Sequence, residues 1–410
     1  MLIRFSPLRP TVWLVCCAAL LSLPARAADN EALEKRYREA NAKVDAGEFQ
    51  PALEIYNEIL ETEPKAGNVW VMRGIAKWKL KDLSGARADL AQAIALHPDN
   101  LDAYRVRGQM RYEAADYANS LADFTKAIDT LKKIVDHVDE SVPGQATQAR
   151  EFLAANAELF GMRAEVENKL GDRPSAIHDL TRAIELKPDY TAAYFLRAQL
   201  YEADGETTAA AEDYTKVIAL NPKHADALNN RAWIRFHERK WDEAIADARK
   251  VLEYAPKADA TLRVLGYTQF AKGDYIEAGQ TLAAAADADS SSGAAYALFV
   301  RHYAMLRAGG ADKRVATSWG NWKDEPWLQA LAKFIAGQID EDALETVAKD
   351  TRDDGELAGR ACEMHFYVGL ARKQAGDKST ARLRFQSALQ TEQKTYVEYT
   401  LAQAELPRTK

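Results

Sequence analysis

A proline recurs at a regular interval along most of this chain, and that interval restricts the fold more than any other feature. Similar eight-residue segments surround it, for example AIALHPDN at 93–100 and AIELKPDY at 183–190. Successive prolines are 34, 90, 34 and 34 residues apart, at Pro64, Pro98, Pro188, Pro222 and Pro256. The interval of 90 equals two periods of 34 and 22 further residues. We therefore expect tandem repeats, one of which lacks its proline and carries an insertion.

Small residues recur at two positions of each repeat when Leu33 is taken as position 1. Position 8 is Ala or Gly in every repeat, from Ala40 to Gly266, and position 20 is Ala or Ser, from Ala52 to Ala278. Position 24 is mostly large. Small side chains let two helices approach closely, so each repeat is predicted to be a helix pair. Such a pair buries its apolar face only by stacking on its neighbours.

With this period and this pattern of small residues, residues 33–292 resemble the tetratricopeptide repeat (TPR) superfamily. Seven repeats begin at positions 33, 67, 101, 157, 191, 225 and 259, and we assign residues 28–292 to them. The resemblance implies an all-α superhelical solenoid of helix–turn–helix repeats. It also implies a concave face, lined by the first helices, that binds proteins or peptides.

An arginine and an aspartate occur together in five of the repeats. Position 7 is arginine and position 23 is aspartate in the second to sixth repeats, while the first and seventh have neither. The pairs are Arg73–Asp89, Arg107–Asp123, Arg163–Asp179, Arg197–Asp213 and Arg231–Asp247. This joint occurrence predicts an ion pair between the two helices of each of these repeats. A site for a charged ligand is the alternative.

The 22 extra residues lie in the third repeat, at about 129–156. We expect them to prolong its second helix to about residue 139, to turn at SVPGQ and to start the next helix early. Leu131, Ile134, Val135 and Val138 fall at helical spacing, so the extension has an apolar face. Two interpretations stay open: a hairpin that closes on itself, or a docking or dimerisation surface.

Residues 293–361 depart from the repeat and form a Trp-rich, irregular helical section. A first helix is followed by a fresh helix start at Pro326, and two further helices are predicted in WLQALAKFIAGQI and EDALETVAKDT. Four aromatic residues lie close together in the sequence here, as core or as a ligand-stacking site: Trp319, Trp322, Trp327 and Phe334. Residues 362–410 are predicted to form a final TPR repeat and a capping helix, TYVEYTLAQAEL.

This C-terminal third has a resemblance of its own. EPWLQALAKFIAGQID, HFYVGLARKQAGD and YVEYTLAQAEL resemble the end of the new lipoprotein I family and of other exported bacterial TPR proteins. The new lipoprotein I family comprises envelope adaptors. The resemblance implies an envelope protease or a peptidoglycan hydrolase as the partner.

Residues 1–27 have the features of a secretory signal peptide. Arg4 and Arg9 make the start basic, TVWLVCCAALLSL is apolar, and Ala25 and Ala27 suit a cleavage site. The apolar run is too short to span a bilayer comfortably. We therefore expect export to the bacterial periplasm, with a mature protein that begins at residue 28 and has no transmembrane segment.

The net charge and the cysteines argue against nucleic-acid binding, a lipid anchor and an intramolecular disulfide. The chain has 54 Lys and Arg and 61 Asp and Glu, and three of the arginines precede residue 28, so the mature charge is −10. A basic nucleic-acid surface is therefore not expected. Val15 is not the small residue that a lipoprotein signal places before a cysteine such as Cys16, which argues against a lipid anchor. Cys362 alone remains after cleavage, so no intramolecular disulfide can form.

No motif of a catalytic or metal site is present. The seven histidines lack the H-E-x-x-H spacing, and neither a G-x-S-x-G elbow nor a phosphate-binding glycine loop occurs. Cys362 and His365 can share a helix face, either as packed residues or as a thiol nucleophile with its base. We expect no cofactor and no metal.

In TPR arrays, positions 2, 5, 9 and 12 of the first helices line the concave groove, and we call this set the first-helix surface. Here it is aromatic with scattered polar groups, as anchors for peptides often are. The candidates are Trp78, Tyr112, Phe195, Asn229, Trp233, Phe236, Arg263, Tyr267 and Phe270. We expect a non-catalytic adaptor or scaffold that binds a protein or peptide. A hydrolase with an unrecognised site and a purely structural assembly subunit are the alternatives, and no sequence feature indicates an oligomeric state.

Overall fold

A computed structural model describes residues 27–136, 144–289, 291–318, 322 and 324–410. Within these ranges every regular element is a helix, and none is both long and apolar enough for a membrane span. The chain divides into two compact units, residues 1–204 and 205–410, called here the N-terminal and the C-terminal unit. The predicted signal peptide lies outside the described residues except for Ala27.

Consecutive helices of the N-terminal unit pack as pairs, α1 with α2, α3 with α4, α5 with α6 and α8 with α9. Each pair also packs against the next first helix, as stacking of repeats requires. The helices are α1 (Ala27–Asp45), α2 (Phe49–Thr62), α3 (Gly67–Lys79), α4 (Leu83–Leu96), α5 (Leu101–Glu113), α6 (Tyr117–Asp136), α7 (Gln145–Ala155), α8 (Glu158–Lys169), α9 (Arg173–Leu186) and α10 (Thr191–Ala203).

The C-terminal unit contains the same pairing in α12 with α13, α14 with α15 and α20 with α21. Its helices are α11 (Thr207–Leu220), α12 (Ala225–His237), α13 (Trp241–Leu252), α14 (Asp259–Lys272), α15 (Tyr275–Ala288), α16 (Ser292–Arg307), α17 (Arg314–Ser318), α18 (Pro326–Ile335), α19 (Glu341–Ala348), α20 (Asp354–Gln374), α21 (Lys378–Gln390), α22 (Val397–Glu405) and a final 3₁₀ turn, Leu406–Thr409. The predicted all-α repeat fold is confirmed.

The small residues at position 8 lie directly under the large residues at position 24. A Cβ atom on Gly108 would lie 3.1 Å from the ring of Phe124, and one on Gly266 would lie 2.5 Å from the side chain of Leu282. A larger side chain at position 8 would therefore push the two helices of a repeat apart.

Four of the five predicted Arg–Asp pairs are present within their repeats. Each arginine donates two hydrogen bonds to both oxygens of its aspartate, with distances of 2.6–2.9 Å. The four aspartates are at most 2% exposed. For the fifth pair, Arg197 and Asp213 belong to different units, and that pair stays a prediction. The described pairs connect the first helix of a repeat to its second.

A second cation reaches the aspartate in three of these repeats, from position 11. Lys77 is 2.9 Å from Asp89, and Arg111 is 2.6 Å from Asp123. In the fourth repeat this position is Glu167, which is buried near Asp179. Burial, followed by the negative charge of Asp179, raises the pKa of Glu167 to about 7.

The insertion differs from its prediction in one respect. The next helix does not simply start early: α7 ends at Ala155, where the Asn156 side chain donates a 2.8 Å hydrogen bond to the Phe152 carbonyl, and α8 begins at Glu158. Helix α7 contacts α6 and α9. These contacts favour the hairpin that closes on itself. Val138 lies outside the described residues.

The described tryptophans of the Trp-rich section lie in the core. The indole of Trp322 packs edge-on against Phe299, with centroids 5.6 Å apart, and both Trp322 and Trp327 are buried. Trp319 lies outside the described residues, and Phe334 is half-buried. The helix that contains Cys362 begins at Asp354, where the Asp353 side chain caps it by accepting a hydrogen bond from the Glu356 amide. The predicted bounds of the final repeat, 362–410, stay a prediction.

Candidate partner-binding surface

The nine predicted site residues all lie on first helices, but few expose much surface. In the N-terminal unit, Trp78 on α3, Tyr112 on α5 and Phe195 on α10 are each 8% exposed. The polar neighbours of these aromatics are more accessible, and Gln199 on α10 is exposed. These aromatic rings therefore offer little area to a partner, and exposed polar residues such as Gln199 offer more.

In the C-terminal unit, three predicted anchors are core residues of the described structure. Phe236 and Phe270 have no exposed surface, and Tyr267 is 2% exposed. They belong to one apolar cluster that also contains Leu401 and Ala402 of α22. A fully buried ring contacts a partner only if an element that covers it moves away.

Trp233, Asn229 and Arg263 are half-buried. The Trp233 indole lies 6.2 Å from the Tyr267 ring, centre to centre. Asn229 accepts a 3.0 Å hydrogen bond from Thr261, across the two first helices α12 and α14. Arg263 forms ion pairs with Asp259 and Asp289. The predicted site residues of these two repeats are thus brought together on adjacent helices.

The C-terminal helix α22 lies against this same set of first helices. It contacts α12 and α14 as well as α20 and α21. Four residues at helical spacing turn inward and are at most 4% exposed: Glu398, Leu401, Ala402 and Glu405. The first-helix surface of the sixth and seventh repeats is therefore occupied by a helix of the same chain.

A histidine of the sixth repeat fixes the middle of α22. The Nδ1 atom of His237 lies 2.8 Å from the Thr400 hydroxyl. Burial lowers the pKa of His237 to about 4, so the imidazole is neutral near pH 7. The contact is therefore a neutral hydrogen bond.

The last residue of α22 places a carboxylate among three cations. Glu405 has no exposed surface and accepts hydrogen bonds from Arg307 (2.7 Å), Lys373 (2.8 Å) and Arg408 (2.9 Å). Burial opposes ionisation, but the hydrogen bonds and charges of Arg307 and Lys373 outweigh it. They lower the pKa of Glu405 to about 2. Glu405 is therefore a carboxylate at any physiological pH.

The 3₁₀ turn after α22 adds one contact to the seventh repeat. The Arg408 guanidinium donates a 2.7 Å hydrogen bond to the carbonyl of Ala271, in the last turn of α14. Backbone carbonyls at the end of a helix lack intrahelical donors, and cations there are favourable.

A second buried carboxyl lies near the start of α22. Glu398 accepts a 2.9 Å hydrogen bond from Tyr367, and burial raises its pKa. Glu363, on the same helix as Tyr367, accepts hydrogen bonds from Tyr296 and from the Trp327 indole. Burial, followed by the charge of Glu398, raises the pKa of Glu363 to about 8. A protonated Glu363 relieves the repulsion between the two groups at neutral pH.

The repeat pattern did not predict five residues that hold α22 in place: Glu398, Thr400, Glu405, Arg307 and Lys373. A local signal was available for the helix, because Glu398, Leu401, Ala402 and Glu405 follow i, i+3, i+4 and i+7 spacing. No local signal pointed to the cations that receive Glu405. Arg307 precedes it by 98 residues and Lys373 by 32.

The structure gives no support to a thiol nucleophile. Cys362 is fully buried, and burial raises its pKa to about 12, so it is a thiol at neutral pH. His365 lies beside Arg384, 3.3 Å away. Among the residues with described positions, no group of acidic, histidine or cysteine side chains has the geometry of a metal site.

Parts of this chain are similar to known proteins. A curated relative from Xenopus laevis, RNA polymerase II-associated protein 3, is 23% identical over 173 residues. The match covers 41% of this chain and 26% of that protein, so the chain spans about a quarter of its length.

Among solved structures, YrrB, described as a TPR protein with an unusual peptide-binding site, has a TM-score of 0.40 and 20% identity. The match covers 50% of this chain and 95% of YrrB. PilW, a type IV pilus biogenesis factor, has a TM-score of 0.45 and 18% identity, covering 59% of this chain and 100% of PilW. PilF of Pseudomonas aeruginosa has a TM-score of 0.46 and 14% identity, covering 57% of this chain and 96% of PilF.

A family model described as tetratricopeptide repeat matches in five overlapping segments. They are residues 37–89, 71–132, 162–225, 203–258 and 230–293, which together make up more than half of the chain. The matches stop where the repeat pattern stops, before the Trp-rich section. This protein belongs to the tetratricopeptide repeat family.

Proposed function

We propose that this protein is a non-catalytic adaptor of the bacterial periplasm that binds a protein or peptide on its first-helix surface. The TPR fold itself indicates a protein-interaction role. The features of residues 1–27 support the periplasmic location, and the repeat positions support the choice of the first-helix surface as the binding surface.

One observation carries the proposal. Helix α22 lies against α12 and α14, so a surface built from first helices of this chain accommodates a helical segment. Both apolar and polar side chains of α22 are buried. Helix-in-groove binding of this kind is a recurring mode of peptide recognition.

An affinity-capture experiment with matched variants tests the proposal. Tagged full-length protein is expressed in its native envelope, and captured proteins are compared for wild type, Gln199→Arg and Gln92→Arg. Gln199 lies on a first helix, Gln92 lies on the second helix α4, and both are exposed. We expect Gln199→Arg to lose a partner that wild type and Gln92→Arg retain. Equal capture by all three variants would contradict binding at this surface.

A partner from the bacterial envelope, such as a protease or a peptidoglycan hydrolase, fits the location and the resemblance of the C-terminal third to exported TPR proteins. Mass spectrometry of the captured species identifies it. Capture of cytoplasmic proteins alone would argue against both the location and this partner class.

A further inference from the structure

We propose that α22 is an internal ligand and that the surface beneath it binds, in its place, a helical segment of a partner protein. That segment presents a carboxylate to Arg307 and Lys373 at one end and a carboxyl group to Tyr367 at the other, with apolar residues between them. The inference rests on the proposed adaptor function and specifies the ligand chemistry at one part of the first-helix surface.

The inward face of α22 defines this chemistry. Glu398 begins the face, Leu401 and Ala402 form its centre, and Glu405 ends it. Leu401 and Ala402 are the fully buried apolar residues of α22, and Val397, Tyr399 and Ala404 pack partly buried against the same cluster. Recognition therefore combines this apolar contact with the two carboxyl groups and Thr400.

The receiving residues belong to other helices and remain when α22 leaves. Arg307 lies on α16 and Lys373 on α20, and they approach the Glu405 carboxylate at 2.7 and 2.8 Å. The Arg307 guanidinium also lies over the rings of Phe270 and Tyr275, at 5.1 and 5.2 Å from their centres. Without Glu405, the positive charges of these two largely buried side chains would lack a negative partner. A carboxylate of another protein would restore that partner.

The connection to α22 permits separation from the rest of the unit. Residues 391–396 join α21 to α22, and Glu392 has a φ of +54°, a left-handed conformation that is uncommon for a residue with a side chain. The 3₁₀ turn Leu406–Thr409 follows α22 directly, so it would separate together with the helix.

The interface of α22 is also polar enough to be reversible. Its hydrogen bonds and ion pairs involve His237, Arg307, Tyr367, Lys373 and Ala271. Release of α22 breaks these contacts but also exposes the polar groups to water, so hydration offsets part of the loss. A tethered segment acts at roughly millimolar effective concentration, so a free peptide competes poorly until the internal helix is weakened.

A peptide-binding experiment on the full-length protein tests this inference. A fluorescent peptide of residues 395–410 is titrated into wild type, Glu405→Gln and the control Glu253→Gln, and its anisotropy is recorded. The Glu405→Gln substitution weakens the internal helix, whereas Glu253 is an exposed glutamate directly after α13, away from α22 and its connection. We expect at least tenfold tighter peptide binding by Glu405→Gln than by wild type or the control. A peptide that itself carries Glu405→Gln should not bind.

Hydrogen exchange of the wild-type chain gives a second readout, in case Glu405→Gln fails to fold. Amides of α22 should exchange faster than those of α14. Exchange of both helices at one rate, or absence of peptide binding by a folded Glu405→Gln, would overturn the inference. A concentration-dependent dimer of Glu405→Gln in sedimentation would also overturn it, because the occupant would then be a second copy of the chain.

The adaptor function can stand when this inference fails. If Gln199→Arg loses the partner while no peptide binds Glu405→Gln, the first-helix surface binds proteins and α22 is a permanent part of the fold. Equal capture by wild type, Gln199→Arg and Gln92→Arg would instead contradict binding at the first-helix surface, whatever the peptide result.

Discussion

Arg231 holds Asp247 with two hydrogen bonds, Nε to Oδ2 at 2.8 Å and Nη2 to Oδ1 at 2.7 Å. The pair joins α12 to α13 and is buried, with 8% of Arg231 and 2% of Asp247 exposed. The same geometry occurs in three other repeats of the described structure. This bridge sets the position of the first helix, and hence of the surface that it contributes.

Replacing Arg231 with Leu should lower the free energy of unfolding by about 3 kcal/mol, the lower end of the range for a broken buried pair. The lower end applies because Arg235 still contacts Asp247. Urea denaturation of the folded protein measures the change. The double variant Arg231→Leu/Asp247→Leu should lose less, since no unpaired charge stays buried. A single variant within about 0.5 kcal/mol of wild type, the usual range for neutral surface changes, would contradict a role in stability.

Replacing Glu167 with Lys should stabilise the protein by about 0.5–2 kcal/mol, as charge optimisation commonly does. The substitution supplies the second cation that Lys77 and Arg111 supply elsewhere. It should also remove a pH dependence. Because the folded pKa of Glu167 is raised to about 7, wild-type stability should fall as pH rises from about 4.5, the unfolded value, to about 7.

Melting temperatures of wild type, Glu167→Lys and Glu167→Gln at several pH values check this prediction. The Gln variant removes the charge without adding a cation, so it should lose the pH dependence but gain less stability than Glu167→Lys. The proposed repulsion would be ruled out if the wild-type melting temperature rose between pH 5 and pH 7 by at least as much as that of Glu167→Gln.

Replacing Phe270 with Ala should cost about 3–5 kcal/mol of stability, as expected for a large buried aromatic side chain. Phe270 has no exposed surface, whereas Trp233 is half-buried and Trp233→Ala should cost less. Chemical denaturation of both variants measures the difference. Should Phe270→Ala keep wild-type stability and weaken partner binding tenfold, the ring would be a partner anchor, as the repeat position predicts.

We predict that the protein is exported and that the exported form begins at Ala28. N-terminal sequencing and fractionation of cells that express the full chain test this expectation. A start at Cys16 or Cys17 with an attached lipid would mean that the protein is membrane-anchored. Recovery of uncleaved protein in the cytoplasm would remove the basis for a periplasmic partner.

The repeat pattern was sufficient to predict the helix pairs, because contacts within a repeat involve positions a fixed distance apart. The Gly108–Phe124 contact and the Arg–Asp bridges both link residues 16 apart in the sequence, and they recur in successive repeats. Such a contact can be recognised in the sequence because its two residues are present together in some repeats and absent together from others.

Contacts that do not recur from repeat to repeat could not be predicted in this way. His237 and Thr400 are 163 residues apart, and the cations around Glu405 come from three separate segments. Each of these contacts occurs once, so nothing in the repeats predicts it. Phe236 and Phe270 are a different case. Their repeat positions indicate a groove, but the rings pack against Trp241 and Tyr275, which begin the second helices of the same repeats.

Site-specific photo-crosslinking in living cells tests most directly whether the first-helix surface binds a partner. A photoreactive amino acid is placed at Gln109, at Gln199 or at the second-helix control Gln92. We predict that the two first-helix positions trap the same partner protein and that Gln92 does not. Trapping of that protein from Gln92 alone, or from all three positions equally, would contradict binding at the first-helix surface.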